Sequence, residues 1–165
     1  MFSLYRVAIV DDEGMPRRIL SQEIEKNAPS FSLAGAFKTG DQAWSFLEKE
    51  EVDILITDIK MPGMSGLELA ERALARWPDM VVSIITGYSE FEYARQAIML
   101  GVSSFLLKPI NLKEFADALT HMGRQRFERM QRRAMQSPVL QDSQDSAIFL
   151  PQERHIICCP LAAYS

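Results

Sequence analysis

The sequence predicts an α/β fold, a five-stranded parallel sheet that is doubly wound, with helices on both faces. Three observations carry this. Short β-rich apolar runs recur five times. Stretches of helical period separate them. The third and fourth runs, DILITD (53–58) and VVSIIT (81–86), are nearly continuously apolar, as strands buried on both faces require.

The elements follow in order. YRVAIV (5–10) reads as the first strand, and Pro16 suits the first turn of the helix after it. SLAGAF (32–37) is the second strand. After it, Thr39 precedes Gln42 by three residues. In that spacing a side chain at the helix start and one a turn later satisfy each other's backbone N–H groups. The same spacing recurs at Ser65/Glu68, Ser89/Glu92 and Asn111/Glu114, behind the third, fourth and fifth strands. Gly101 fits a helix stop before the fifth strand, SSFLL (103–107).

The chain has 165 residues, enough for one core, with 47% apolar and 24% charged residues. No apolar run reaches the roughly 18 residues of a membrane span. The opening MFSLYRVAIVDD is too short and turns acidic too soon for a secretory signal, so a cytoplasmic protein is expected. Cys158 and Cys159 are adjacent and read as reduced thiols. The net charge is −4, but residues 121–136 carry Arg124, Arg126, Arg129, Arg132 and Arg133 against Glu128 alone. The acidic body gives no reason to expect nucleic acid there. The expected organisation is one domain over 1–122, an extended basic helix over 123–136, and a linker with an irregular tail over 137–165.

A doubly wound sheet binds ligands beyond the carboxyl ends of its strands. Asp11 and Asp12 follow the first strand, Asp58 ends the third, Thr86 ends the fourth, and Lys108 with Pro109 follows the fifth. Taken singly, an Asp after a strand is a turn or cap residue. Taken together, three carboxylates, a hydroxyl and an ammonium form a constellation. Converging carboxylates repel and call for a hard cation, of which Mg²⁺ also accepts phosphoryl oxygens. Asp11 and Asp12 are placed to hold the metal, and Asp58, before the loop IKMPGMSG, to act as nucleophile. Lys108 and Thr86 would meet phosphoryl oxygens. Glu13 either approaches the pocket or belongs to the first helical turn.

The stretches VAIVDDE, LITDIKMPGMSGLEL and SIITGYSEFEYARQAIMLGVSSFLLKPI, within about residues 4–122, resemble the response-regulator receiver domains of two-component signalling. The resemblance implies a flavodoxin-like (βα)5 receiver fold. It implies Asp58 as phosphoacceptor, Asp12 as a direct Mg²⁺ ligand, Asp11 as a ligand through water, and the Lys60 backbone carbonyl as a further ligand. It implies Thr86 and Phe105 as switch residues, Lys108 as the phosphate-binding lysine, and a cis bond before Pro109. Lys60 and Tyr88 would tune the lifetime of the phosphoryl group. A sensor histidine kinase would be the partner. The changed surface would be the fourth helix, fifth strand and fifth helix, which with the C-terminal helix offers a dimer contact. Such a domain catalyses its own phosphoryl transfer and hydrolysis and is not otherwise an enzyme. The wording is nearest to regulators of the YesN kind, which usually carry an AraC-type DNA-binding domain; residues 137–165 are too few and too irregular for one, so DNA is implied only through an absent output domain.

Two other classes share parts of the pattern. A haloacid-dehalogenase-type Mg phosphatase uses Asp, Thr or Ser, and Lys, but places its nucleophile in D-x-D after the first strand. A flavodoxin-like cofactor binder has a Thr/Ser/Gly-rich phosphate loop where this chain is acidic. A stand-alone receiver working by protein contacts remains beside the truncated transcription factor. In the last helix, Leu112, Phe115, Leu119 and Met122 are expected on the sheet. Phe127, Met130 and Ala134 continue an apolar stripe, which reads as a solvated basic helix or as a dimerising or linking one. His121 and His155 are not placed as phosphoryl donors.

Overall fold

The computed structural model describes residues 4–87 and 91–136. Ser89, Tyr88, His155, the two cysteines and the 137–165 segment lie outside the described residues. The strands are β1 (Tyr5–Val10), β2 (Phe31–Phe37), β3 (Ile54–Asp58), β4 (Val81–Thr86) and β5 (Ser104–Leu107). The helices are α1 (Gly14–Asn27), α2 (Gly40–Leu47), α3 (Gly66–Arg76), α4 (Phe91–Leu100) and α5 (Leu112–Met135). All neighbouring strands are parallel, in the order β2-β1-β3-β4-β5. The order reverses between β1 and β3, so a crevice opens at their carboxyl ends.

Alternation along the strands sends successive side chains to opposite faces. Ala8, Val10, Leu55, Val82 and Ile84 pack with residues of α2, α3 and α4, including Leu47, Leu69, Ala73 and Ala97. On the other face Val7, Ile9, Ile54, Ile56 and Ile85 pack with Leu20 and Ile24 of α1 and Phe115, Leu119 and Met122 of α5. β3 and β4, the two central apolar runs, are buried throughout.

The helix starts vary in how far they follow the capping pattern. Ser65 and Glu68 form the reciprocal pair. Thr39 accepts from Gln42 N, but Gln42 Oε1 accepts from Lys38 N and not from the cap residue. The Asn111 side chain accepts from Lys113 N and Glu114 N.

Two expectations for α5 need correction. Leu112 is 41% exposed and does not pack on the sheet; it opens the helix in the turn Asn111 caps, one turn before Phe115 reaches the core. The arginines do not all flank a solvated stripe. Arg126 is buried, with Nε donating to Asp53 Oδ1 at 2.7 Å, one amine to Glu51 Oε1 at 3.1 Å and the other to the Asp79 carbonyl at 3.1 Å. The other Asp53 oxygen accepts from Arg6 N at 2.8 Å. Arg129 donates to the Met80 carbonyl and to Ser103 Oγ. Phe127 and Met130 are exposed. Among the described residues, those up to Arg129 form one compact unit, and 130–136 fall in a second.

Two glycines permit close approaches around Asp58. A Cβ on Gly66 would lie 1.9 Å from the Asp58 carbonyl oxygen, so only glycine lets α3 begin there. A Cβ on Gly40 would lie 2.6 Å from the Met64 carbonyl, and Asp41 Oδ2 accepts from Met64 N at 3.4 Å. The β3–α3 loop is thereby pressed against the start of α2.

Candidate functional site

Four strand ends bring the site together. β1 delivers Asp11 and Asp12, β3 delivers Asp58, β4 delivers Thr86, and the turn after β5 delivers Lys108. One carboxylate oxygen from each of Asp11, Asp12 and Asp58 lies within 4.8 Å of the others. Asp11 and Asp58 are buried, while Asp12 is half-buried. Lys108 Nζ donates to Asp58 Oδ2 at 2.8 Å and to Glu13 Oε1 at 3.0 Å, and stands 3.6 Å from Asp11 Oδ2. The Lys108–Pro109 bond is cis.

Local structure fixes the two aspartates after β1. Asp11 Oδ1 accepts from Glu13 N at 2.8 Å, an Asx turn that leads into α1. Arg17, on the first turns of α1, donates to the Asp11 carbonyl. Asp11 Oδ2 is buried with no hydrogen-bond partner among the described residues. At 3.6 Å the lysine attracts it without bonding it. A buried carboxylate with an orphaned oxygen, in a cluster of three carboxylates, is a donor set for a hard divalent cation, so the residues present fit one.

The electrostatics are asymmetric. Burial pushes the Asp11 carboxyl above its ordinary range, and the Glu13 backbone bond and Lys108 only partly offset it. Asp58 is also pushed up, chiefly by burial, against the hydrogen bond and charge of Lys108. Burial works against the Lys108 ammonium too, but bonds to Asp58 and Glu13 and the charges of Asp58 and Asp11 outweigh it and drive its pKa up. One ammonium is shared among several carboxylates, so it gains what each of them lacks.

This gives a stability prediction. A carboxyl raised in the folded state contributes stability that is full below its ordinary value of 3.8 and is lost as pH rises through the raised folded value. In metal-free buffer, Asp11→Asn is expected to melt above the wild type at pH 7, with the gap closing towards pH 4. Equal melting temperatures at pH 7 would show that Asp11 carries no burial cost.

The remaining predicted residues are placed as follows. Thr86 is buried, with Oγ1 donating to the Gly87 carbonyl at 3.2 Å. Phe105 is half-buried against the face that carries α2–α4. Lys60 is exposed, its Nζ 5.8 Å from the Tyr93 ring centroid. Tyr88 lies outside the described residues.

A response regulator receiver domain matches residues 7–120. The chain belongs to that family. The receiver is 35% identical over 116 residues to the transcriptional regulatory protein YesN of Bacillus subtilis (strain 168), covering 70% of this chain and 32% of that protein. It is 32% identical over 141 residues to the C4-dicarboxylate transport transcriptional regulatory protein DctD of Rhizobium meliloti (strain 1021), covering 86% and 29%. Among solved structures it is similar to a two-component transcriptional regulator AraC from Clostridium phytofermentans ISDg, with TM-score 0.70, 33% identity, and 76% and 98% of the two chains covered. The receiver spans about a third of the length of the curated relatives it matches. Neither the dehalogenase-type phosphatase nor the flavodoxin-like cofactor binder is favoured by these matches.

Two contacts of the receiver's site escaped sequence reading: Arg17 holds the Asp11 carbonyl, and Asp41 holds the β3–α3 loop. Glu13, which the sequence left between the pocket and the first helical turn, caps α1 by position and pairs with Lys108. A glutamate where a helix start prefers Ser, Thr, Asp or Asn was the one available signal.

Proposed function

We propose that this receiver is a phosphoryl-accepting switch of a two-component response regulator, with Asp58 as the phosphoacceptor. The observation that carries the reading is the 2.8 Å contact of Lys108 Nζ with Asp58 Oδ2 beside the acidic cluster. A carboxylate oxygen of Asp58 would form a bond to phosphorus while the bond to the donor's nitrogen or oxygen breaks, its electron pair leaving with the donor. The donor is a phosphohistidine on a sensor histidine kinase or a small acyl phosphate. Lys108 would stay on the transferred oxygens as an ammonium, and the Thr86 hydroxyl would donate to one of them. Water attack on the same phosphorus restores the carboxylate and releases phosphate. Lys60 and Tyr88 would limit that water's access.

Asp11, Asp12, Asp58 and the Lys60 carbonyl would hold Mg²⁺, Asp11 through water. When bound, Mg²⁺ supplies positive charge against the carboxylates and the phosphoryl oxygens. Added Mg²⁺ is expected to raise the melting temperature, because a ligand of the folded state alone stabilises it. Asp12→Ala should fold and lose that rise. A full Mg²⁺ response in the variant would remove Asp12 from the metal site.

Phosphorylation would draw Thr86 inward and let Phe105 turn in, shifting the population of the α4–β5–α5 surface. That surface, or α5 itself, would serve a homodimer. YesN and DctD carry the names of transcriptional regulators, which supports transcriptional output in the cytoplasm through an output domain. No helix among the described residues is long and apolar enough to cross a membrane.

The test is incubation of the purified chain with acetyl phosphate, with and without Mg²⁺. Mg²⁺-dependent uptake of one phosphoryl group, released by hydroxylamine as an acyl phosphate is, supports the reading. No uptake with Mg²⁺ present overturns it.

A further inference from the structure

We propose that Glu13 is a positioning residue that holds the Lys108 ammonium and sets which phosphoryl donors the pocket accepts, disfavouring free dianionic ones. The inference rests on the phosphoacceptor reading of Asp58 and deepens it.

Glu13 occupies the N-cap of α1, with an extended backbone, yet its side chain makes no capping bond. At that position a short polar side chain ordinarily satisfies an amide of the first turn. The Glu13 carboxylate instead reaches a residue 95 positions away, Lys108. A local rule broken at a helix start in favour of a long-range ion pair marks a residue kept for the site.

The geometry assigns the pair a task. Lys108 has three N–H donors. One is committed to Asp58 at 2.8 Å and one to Glu13 at 3.0 Å. A phosphoryl group on Asp58 needs those donors, so Glu13 holds the ammonium over Asp58 until the phosphoryl oxygens take its place. The Asp58 side chain is 8% exposed and that of Glu13 is 60% exposed, so Glu13 stands at the mouth. Beside it runs an apolar cleft lined by Met15, Pro16, Ile19, Leu20, Pro109 and Ile110, whose charged lining residues, among those described, are Glu13 and Lys108. Any donor arriving along that side passes the Glu13 charge, which among the described lining residues Lys108 alone offsets. A dianion is repelled more than a monoanion. A phosphohistidine carried on a protein brings binding energy of its own to meet that cost, and a free acyl phosphate does not.

The experiment compares initial rates of labelling by acetyl phosphate, a dianion at pH 7.5, and by phosphoramidate, a monoanion there, at saturating Mg²⁺. In Glu13→Gln the ratio of the first rate to the second is expected to rise about three- to tenfold, from the removal of one charge several ångströms away. Glu13→Ser, which restores a capping side chain to α1, should show the same rise. Glu13→Asp should keep a ratio near that of the wild type. In 1 M salt the difference between wild type and Glu13→Gln should shrink, since screening acts on exposed charges. A ratio unchanged in both the Gln and Ser variants, with the wild type labelled by both donors, overturns the inference and leaves the phosphoacceptor reading standing. No labelling of the wild type by either donor overturns both.

Discussion

Asp58→Ala is expected to take up no phosphoryl group under conditions of Mg²⁺ and acetyl phosphate that label the wild type. Of the three clustered aspartates, Asp58 alone accepts a hydrogen bond from Lys108. Asp11 is fully buried and spends one oxygen on the Glu13 amide. Asp12 has no lysine contact among the described residues. Removing Asp58 therefore takes away the one aspartate of the cluster that is hydrogen-bonded to a cation able to follow the transferred charge. The fold should survive, because burial of that carboxyl already disfavours its charged form. A melting temperature at or above that of the wild type in metal-free buffer shows that the loss is chemical. Undiminished labelling of the variant would place the acceptor elsewhere.

Arg126→Ala is expected to cost about 3–5 kcal/mol in urea unfolding, the range for breaking a buried pair and stranding its partner. The guanidinium ties α5 to Asp53, Glu51 and the Asp79 carbonyl, three points just before β3 and β4. Its side chain is 8% exposed and that of Asp53 is 19%, so water replaces little of what is lost. Asp53→Asn in the Arg126→Ala background should recover part of the stability, since the stranded charge is then gone. Labelling per folded molecule should match the wild type, because these groups lie at the starts of the strands and the acidic cluster at their ends. A cost below about 1 kcal/mol, the range of exposed pairs, would contradict the buried clamp.

β3 and β4 are legible in the sequence because a strand covered on both faces has no polar face to alternate with. Asp11, Asp12, Asp58, Thr86 and Lys108 are legible because a parallel sheet sends every strand's carboxyl end to one side, so the topology collects residues that the sequence scatters. Leu112 misled because helical period assigns a face without saying where along the helix the sheet begins. Arg126 misled because an arginine among arginines reads as solvated, and its burial depends on Asp53, a residue 73 positions away. Glu13 is ambiguous for the same reason. It holds the cap position in the chain and a lysine in space, and only the folded chain supplies the second.

The close approaches at Gly66 and Gly40 bear on how the domain can respond. The start of α3 rests on the main chain of Asp58, and the loop between them rests on α2. On this side the backbones are in close contact, so α2, α3 and the main chain of Asp58 would act as a stator if charge arrived on the carboxylate. A Cβ at Gly87 or Gly101, on the β4 side, would meet no atom within 4 Å among the described residues. If charge arrives on Asp58 as proposed above, the α2–α3 side is the half less free to follow, and the response would pass by way of Thr86 towards α4 and β5. The heading of such a signal would be set less by the residue that moves than by the half of the molecule packed too closely to go with it.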